Sequence, residues 1–186
     1  NCKDCGFPTC VVVAMKLAAK QAELAACPHV SDAAKAALAA ASAPPIRLIT
    51  LGVDPSFAVG NETVMFRHEK TFFHEPGFVI RLKDTADDLK EQATAVAAYK
   101  VERVGMAMTI NAIGIENVSG DAGKFAAAVE TARSVTALPF ILMTSDPKAM
   151  AAALAKEGGR KPLLYAATAE NLADMAALAK ANGASL

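Results

Sequence analysis

The sequence predicts an α/β protein in which a small helical domain precedes a larger domain of parallel strands and helices. Hydrophobic residues make up 53% of the chain and charged residues only 20%, which is enough apolar material for a sizeable core. Apolar runs such as PFILMT (139–144) and LLYAA (163–167) alternate with helical patterns, and this alternation is typical of a parallel sheet. All four cysteines lie before residue 28, which sets the first part of the chain apart.

Two helices are predicted in the first part. Apolar residues at three- and four-residue steps indicate a helix over residues 8–26, which Pro28 ends because proline cannot continue a helix. Ser31 is placed to cap a second helix over residues 32–41. The run SAPP at 42–45 is a stop signal. We therefore expect two domains, residues 1–44 and residues 45–186.

The second domain is predicted to repeat a strand-then-helix unit. The expected elements are a strand over 46–53, a hairpin centred on Glu69-Lys70, a strand over 78–82, a helix from a capping box at 85–88 to Lys100, a strand over 104–113, a helix capped by Asp121, a strand over 139–144, a helix from Pro147 to Gly158, a strand over 163–167, and a helix from Thr168 to Gly183. A complete eightfold βα barrel needs about 250 residues. The prediction is therefore a partial, truncated TIM-type βα barrel.

The cysteines have the spacing C-x2-C-x4-C-x16-C. Disulfides would require an oxidising compartment, and no secretion signal is visible. A structural zinc site usually takes two close pairs of ligands, whereas here one pair is followed by two separated cysteines. An iron–sulfur cluster takes four thiolates, and Gly6 and Pro8 would place Cys10 in the first turn of a helix, whose dipole favours a thiolate. The spacing thus favours a [4Fe–4S] cluster and leaves zinc and disulfides open.

The segment NCKDCGFPTCVVVAMKLAAKQAELAACPHVS resembles the four-cysteine iron–sulfur domain of the large (gamma) subunit of corrinoid iron–sulfur proteins, which belong to the acetyl-CoA decarbonylase/synthase (CO dehydrogenase/acetyl-CoA synthase) system. A similar domain occurs in the B subunit of Rnf-type electron-transport complexes, which continue into further cysteine motifs. This chain has no cysteine after Cys27, and VGNETVMFRHEKTFFHEPGFVIRLKD (59–84) resembles the start of the corrinoid subunit's barrel. The resemblance therefore favours the corrinoid family.

This resemblance implies ligands, cofactors and partners. It assigns the [4Fe–4S] cluster to Cys2, Cys5, Cys10 and Cys27, and a corrinoid to a part of the full-length subunit that these residues do not include. It implies methyl transfer from a methyl-tetrahydropterin to acetyl-CoA synthase, with the cluster reducing Co(II) to Co(I). The implied partners are a small corrinoid-protein subunit, a methyltransferase and acetyl-CoA synthase. The alternative is a stand-alone electron carrier or adaptor without cobalt.

The remaining polar residues carry weaker predictions. His68 and His74 sit on the expected hairpin, where we interpret them as solvated or interface residues rather than metal ligands. His29 follows the fourth cysteine, where it is either a hydrogen-bonding group near the cluster or a plain surface residue. Asn111 and Asn117 are interpreted as turn or capping residues near a strand end. A net charge of zero gives no electrostatic footprint for nucleic acid. No apolar run reaches the roughly 18 residues of a membrane span, so we expect a cytoplasmic protein.

Overall fold

The computed structural model describes residues 3–18, 21–42 and 46–186, and the chain divides into two compact units, Asn1–Pro45 and Ile46–Leu186. The first unit contains helix α1 (Cys10–Ala18), a 3-10 turn (Leu24–Ala26) and helix α2 (Asp32–Ser42).

The long helix predicted over residues 8–26 is wrong in its extent. Helix α1 begins at Cys10, and the amide of Gln21 donates to the carbonyl of Lys16 across five residues (2.8 Å), a bond that closes a helix end rather than continuing it. The predicted cap of α2 is confirmed, because the amide of Ala34 donates to Ser31 Oγ at 3.2 Å.

The second unit alternates strands and helices after an initial hairpin. Its elements are β1 (Ile49–Leu51), β2 (Phe57–Val59), β3 (Val79–Lys83), α3 (Leu89–Ala98), β4 (Lys100–Arg103), β5 (Met106–Thr109), β6 (Ala112–Glu116), α4 (Ala122–Arg133), β7 (Phe140–Met143), α5 (Pro147–Glu157), β8 (Leu163–Tyr165) and α6 (Leu172–Asn182).

Four strands form one parallel sheet in the order β3-β6-β7-β8. Helices α3, α4, α5 and α6 contact one another in the same order, so they form a single layer on one face of the sheet. Alternate strand residues point into this layer and are fully buried, among them Ile113, Ile115, Phe140 and Leu142. The predicted α/β class is therefore confirmed, with a four-stranded parallel sheet as its centre.

The hairpin β1–β2 lies at the amino ends of the parallel strands. The amide of Gly52 donates to the carbonyl of Lys161 at 3.0 Å, two residues before β8. A Cβ atom on Gly52 would lie 2.7 Å from the ring of Pro139, which directly precedes β7. Between the hairpin and the sheet face opposite the helices is a cavity of about 450 Å³, whose walls include Phe57 and Ile141.

The buried strand predicted over residues 104–113 is wrong. Those residues contain the second strand of an exposed antiparallel hairpin, β4–β5, and the buried strand is β6. Val104 and Gly105 form the turn with φ values of 52° and 75°. Two successive positive φ angles suit a tight two-residue hairpin turn, whose twist matches that of the flanking strands.

The hairpin predicted around Glu69-Lys70 is also wrong, since residues 60–78 contain no strand. The physical reason is the buried carboxylate of Glu62. It accepts hydrogen bonds from the amides of Phe73 and His74, both at 2.8 Å, which a hairpin ladder would otherwise use. The ring nitrogen Nδ1 of His74 also lies 2.7 Å from the carbonyl of Gly60, so the chain folds back on itself as a loop.

We expect Glu62→Ala to loosen this loop, because two backbone N–H groups lose their acceptor. Burial raises the pKa of Glu62, but the hydrogen bonds from His74 and Phe73 outweigh it and the pKa lies below the ordinary 4.5. The stabilisation of the loop by the Glu62 carboxylate is therefore present above about pH 4.5, and it is lost as the pH falls through the folded-state pKa of Glu62.

Hydrogen exchange of the Phe73 and His74 amides measures the effect, and we expect about tenfold faster exchange in the variant. Glu69→Ala is the matched control, because Glu69 is an exposed acid of the same loop that accepts one bond, from Phe66. Equal exchange in the two variants would show that Glu62 does not hold the loop.

Within the described ranges, no helix is both long and apolar enough to cross a membrane.

Candidate metal centre

The loop before α1 turns tightly around Cys5. Lys3 and Gly6 both adopt positive φ angles, 57° and 79°, and the amide of Gly6 donates to the carbonyl of Lys3 at 2.9 Å. A Cβ on Gly6 would meet nothing within 4 Å, so glycine is used here for its backbone conformation rather than for lack of space. This turn leads the chain from Cys5 to Cys10.

Cys10 is the first residue of α1, as its position after Pro8 predicts. Thr9 caps the helix, because its side-chain oxygen accepts a hydrogen bond from the amide of Val12 at 3.3 Å. The Cys10 side chain is exposed. It lies in the first turn of α1, where backbone N–H groups have no partner within the helix.

Cys27 closes the 3-10 turn that follows α1. Its amide donates to the carbonyl of Leu24 at 3.0 Å, and its side chain is half-buried. Two residues later, Nε2 of His29 lies 2.6 Å from Oδ2 of Asp4. The bond joins the residue before Cys5 to the segment that carries Cys27, although the two partners are 25 positions apart.

Cys5, Cys10 and Cys27 are free thiols. Cys2, the fourth predicted ligand, lies outside the described residues. In the described ranges, no three His, Cys, Asp or Glu side chains are gathered as they are around a bound metal ion. The donor set nevertheless fits an iron–sulfur cluster in its chemistry, because unoxidised, reachable thiols are the ligands such clusters take.

A network of polar side chains lies at the carboxyl ends of the parallel strands. Oδ1 of Asp84, after β3, accepts from the amides of Val118 and Ser119 at 2.9 and 3.1 Å, and Oδ2 accepts from Ser119 Oγ at 2.5 Å. Nδ2 of Asn117, after β6, donates to Oγ1 of Thr144, after β7, at 3.2 Å. These groups satisfy one another and the backbone, and their hydrogen bonds fasten neighbouring loops together.

This network contains residues that the sequence analysis missed. The sequence predicts Asn117 to be a turn or capping residue near a strand end, but it gives no prediction for Asp84, Ser119 and Thr144. The available signal was that each follows a strand of the sheet. Asn111 lies at the opposite, amino end of β6, where its Oδ1 accepts from the amide of Phe78 at 2.9 Å.

The two histidines of the predicted hairpin have different surroundings. The ring of His68 stacks on Phe66, with centroids 5.7 Å apart, and is exposed. His74 is half-buried and bonded to Gly60, with its Nδ1 3.6 Å from Oε1 of Glu62. Within residues 46–186, neither histidine belongs to a group of three or more His, Cys, Asp or Glu side chains that could hold a metal ion.

Comparison with known proteins gives two family matches. Residues 48–186 match the family described as "CO dehydrogenase/acetyl-CoA synthase delta subunit". Residues 1–29 match a family described as "Putative Fe-S cluster". The second match covers the segment that holds all four cysteines.

Three curated relatives are similar over nearly all of this chain. They are the corrinoid/iron-sulfur protein large subunit of Moorella thermoacetica, 45% identical over 100% of this chain and 42% of the relative; the acetyl-CoA decarbonylase/synthase complex subunit gamma of Methanopyrus kandleri, 38% identical over 96% and 39%; and the same subunit of Methanothermobacter thermautotrophicus, 36% identical over 100% and 41%. The chain thus spans about two fifths of the length of these relatives.

The family model bears the delta-subunit name, whereas these relatives are gamma or large subunits. The similarity to the relatives includes the cysteine segment, which lies outside the delta-subunit match. The resemblance to large (gamma) subunits is confirmed by these relatives. The match over residues 48–186 covers most of the sequence, and the chain belongs to the CO dehydrogenase/acetyl-CoA synthase delta subunit family.

Proposed function

We propose that this chain is the iron–sulfur part of the large subunit of a corrinoid protein. Cys2, Cys5, Cys10 and Cys27 would hold one [4Fe–4S] cluster. The observation that carries the proposal is the set of free thiols, with Cys10 at a helix start and Cys27 on a returning turn, in a segment that matches an iron–sulfur family. The name of the Moorella thermoacetica relative supports the corrinoid connection.

The proposed role of the cysteines is electron transfer rather than catalysis. When bound, the cluster would supply the low-potential electron that returns Co(II) of the corrinoid to Co(I), which accepts a methyl group. In this proposal the full-length subunit is cytoplasmic and takes that methyl group from a methyl-tetrahydropterin and delivers it to acetyl-CoA synthase. Its partners would be a small corrinoid-protein subunit, the methyltransferase and acetyl-CoA synthase. Within the described residues, no group is assigned to the corrinoid.

We further propose that the second unit belongs to a TIM-type βα barrel, with the domain division at residues 1–44 and 45–186. Parallel strands in sequential order, with every helix on one face, are the arrangement of consecutive barrel units. A doubly wound sheet would instead place helices on both faces. The hairpin β1–β2 would then close the amino end of the barrel.

Anaerobic iron and acid-labile sulfide analysis of the purified chain tests the cluster. We expect about four iron and four sulfide per chain, and a brown absorption that bleaches on addition of dithionite. Zinc without sulfide would overturn the redox role and support a structural metal site. Intact disulfides in the freshly prepared anaerobic chain would overturn both.

A further inference from the structure

One hydrogen bond links two cysteine-bearing segments of the first unit. His29 Nε2 and Asp4 Oδ2 are 2.6 Å apart. Asp4 directly precedes Cys5, and His29 lies two residues after Cys27. The other side-chain hydrogen bonds and ion pairs shown between described residues of this unit join positions three apart, Thr9 with Val12, Ser31 with Ala34, and Asp32 with Lys35. The bond between Asp4 and His29 therefore joins positions that are much farther apart in the sequence than those joined by these local bonds.

The need for such a bond follows from the cysteine spacing. Three of the cysteines lie within the first ten residues, whereas Cys27 is separated from Cys10 by sixteen residues. Helix α1 carries the chain away from Cys10, and the 3-10 turn at Leu24–Ala26 precedes Cys27 on the return. The position of Cys27 relative to the other three thus depends on contacts between the outgoing and returning segments.

The bond itself is exposed. The side chains of His29 and Asp4 are 60% and 50% accessible, so water competes with the pair and its direct contribution to stability is small. Its effect is expected on the location of the returning segment rather than on the unfolding of the whole unit. An exposed bond of this kind leaves the two segments close but separable.

We propose that Asp4 and His29 form a latch that holds the Cys27 segment beside the Cys5 segment, so that the Cys27 thiolate is kept within reach of a cluster bound by the other three cysteines. This inference rests on the proposed cluster function. Both residues are positioning residues, and neither is a ligand. When the latch is lost, Cys27 is the thiolate expected to leave iron, taking up a proton while water or an added thiol fills the vacated position, with no change in oxidation state.

The test compares variants of the cluster-loaded chain under anaerobic conditions. Asp4→Ala and His29→Ala each remove the bond. The double variant removes the same single bond, so its effect should equal that of either single variant. Asp4→Asn keeps an oxygen that accepts from His29. Asp32→Ala is the matched control, because Asp32 is an exposed acid of the same unit that pairs only with its helical neighbour Lys35 at 3.6 Å among the contacts shown.

Two readouts are used. The first is the rate of iron release to bathophenanthroline disulfonate, expected to rise about fivefold in both single variants and no further in the double variant. Asp4→Asn and Asp32→Ala are expected to stay within about twofold of the parent chain. The second is alkylation of the loaded chain by iodoacetamide, mapped by mass spectrometry, where the increase should fall on Cys27.

Each outcome is decisive. Variants that take up no cluster, while Asp4→Asn does, would support the latch in a stronger form. Release at the parental rate, additive effects in the double variant, or alkylation spread evenly over Cys5, Cys10 and Cys27 would overturn it. If the parent chain itself holds no iron and sulfide, the proposed function fails and the latch with it; a loaded parent with unchanged variants defeats the latch alone.

Discussion

Replacing Cys10 by alanine is expected to reduce iron from about four to less than about one per chain after desalting, because a four-thiolate cluster loses one of its ligands. The same result is expected for Cys2→Ala, Cys5→Ala and Cys27→Ala. Each thiol belongs to the first unit, so the second unit should keep its fold. Iron and sulfide analysis together with far-ultraviolet circular dichroism measures both parts of the expectation.

Thr9→Ala separates ligand loss from damage to the helix. Thr9 accepts from the amide of Val12 and caps α1, and its removal is expected to cost about 1 kcal/mol of helix stability. The variant keeps all four cysteines. We therefore expect it to retain most of its iron, whereas Cys10→Ala does not. Full iron in every cysteine variant would contradict a cluster held by these four residues.

The elements that the sequence predicted well are those whose ends are set by local chemistry. Helix α5 is preceded by Asp146, whose carboxylate accepts from the amides of Lys148 and Ala149, has Pro147 in its first turn and ends at Gly158 with φ 59°. Helix α4 is likewise capped by Asp121, which accepts from the amide of Lys124. Each signal lies within a few residues of the end that it determines.

The failures came from interactions that sequence periodicity does not contain. The strand assigned to residues 104–113 is apolar enough to look buried. The turn within it places Val104 at a positive φ, which is unusual for a β-branched residue, so the sequence does not indicate a turn there. The hairpin around Glu69-Lys70 is prevented by Glu62, whose amide partners are 11 and 12 positions away. Strand propensity is judged from neighbouring residues and does not include a contact between positions so far apart.

The cysteines of the candidate site can be identified from the sequence, whereas the contacts around them cannot. The spacing of the cysteines indicates their common chemistry, and Pro8 correctly placed Cys10 in a helical turn. Nothing in the spacing identifies Asp4 as the partner of His29, because the two are 25 positions apart. Residue types therefore predict an iron–sulfur segment, while the contacts that organise that segment are seen only in the fold.

Replacing Glu157 by alanine is expected to destabilise the second unit by about 3–5 kcal/mol, because it leaves the Arg133 charge buried without its partner. The Glu157 side chain is 1% accessible and the Arg133 side chain is 12% accessible. Nη2 of Arg133 donates to both carboxylate oxygens of Glu157, at 3.0 and 2.9 Å. Burial raises the pKa of Glu157 and lowers the pKa of Arg133, so each charge depends on the other. Urea unfolding at neutral pH measures the loss.

The same two helices supply the control. Lys156 and Glu130 also pair between α5 and α4, at 2.9 Å, but are 41% and 63% accessible, so Glu130→Ala should cost less than about 1 kcal/mol.

Replacing Arg133 and Glu157 together by methionine should recover part of the loss, since no charge is then left buried. Recovery is incomplete because Arg133 also donates to the carbonyls of Thr136 and Leu138 and packs on the Phe140 ring. Equal losses in Glu157→Ala and Glu130→Ala would mean that the buried pair adds nothing beyond a surface pair, and that the apolar core alone joins these helices.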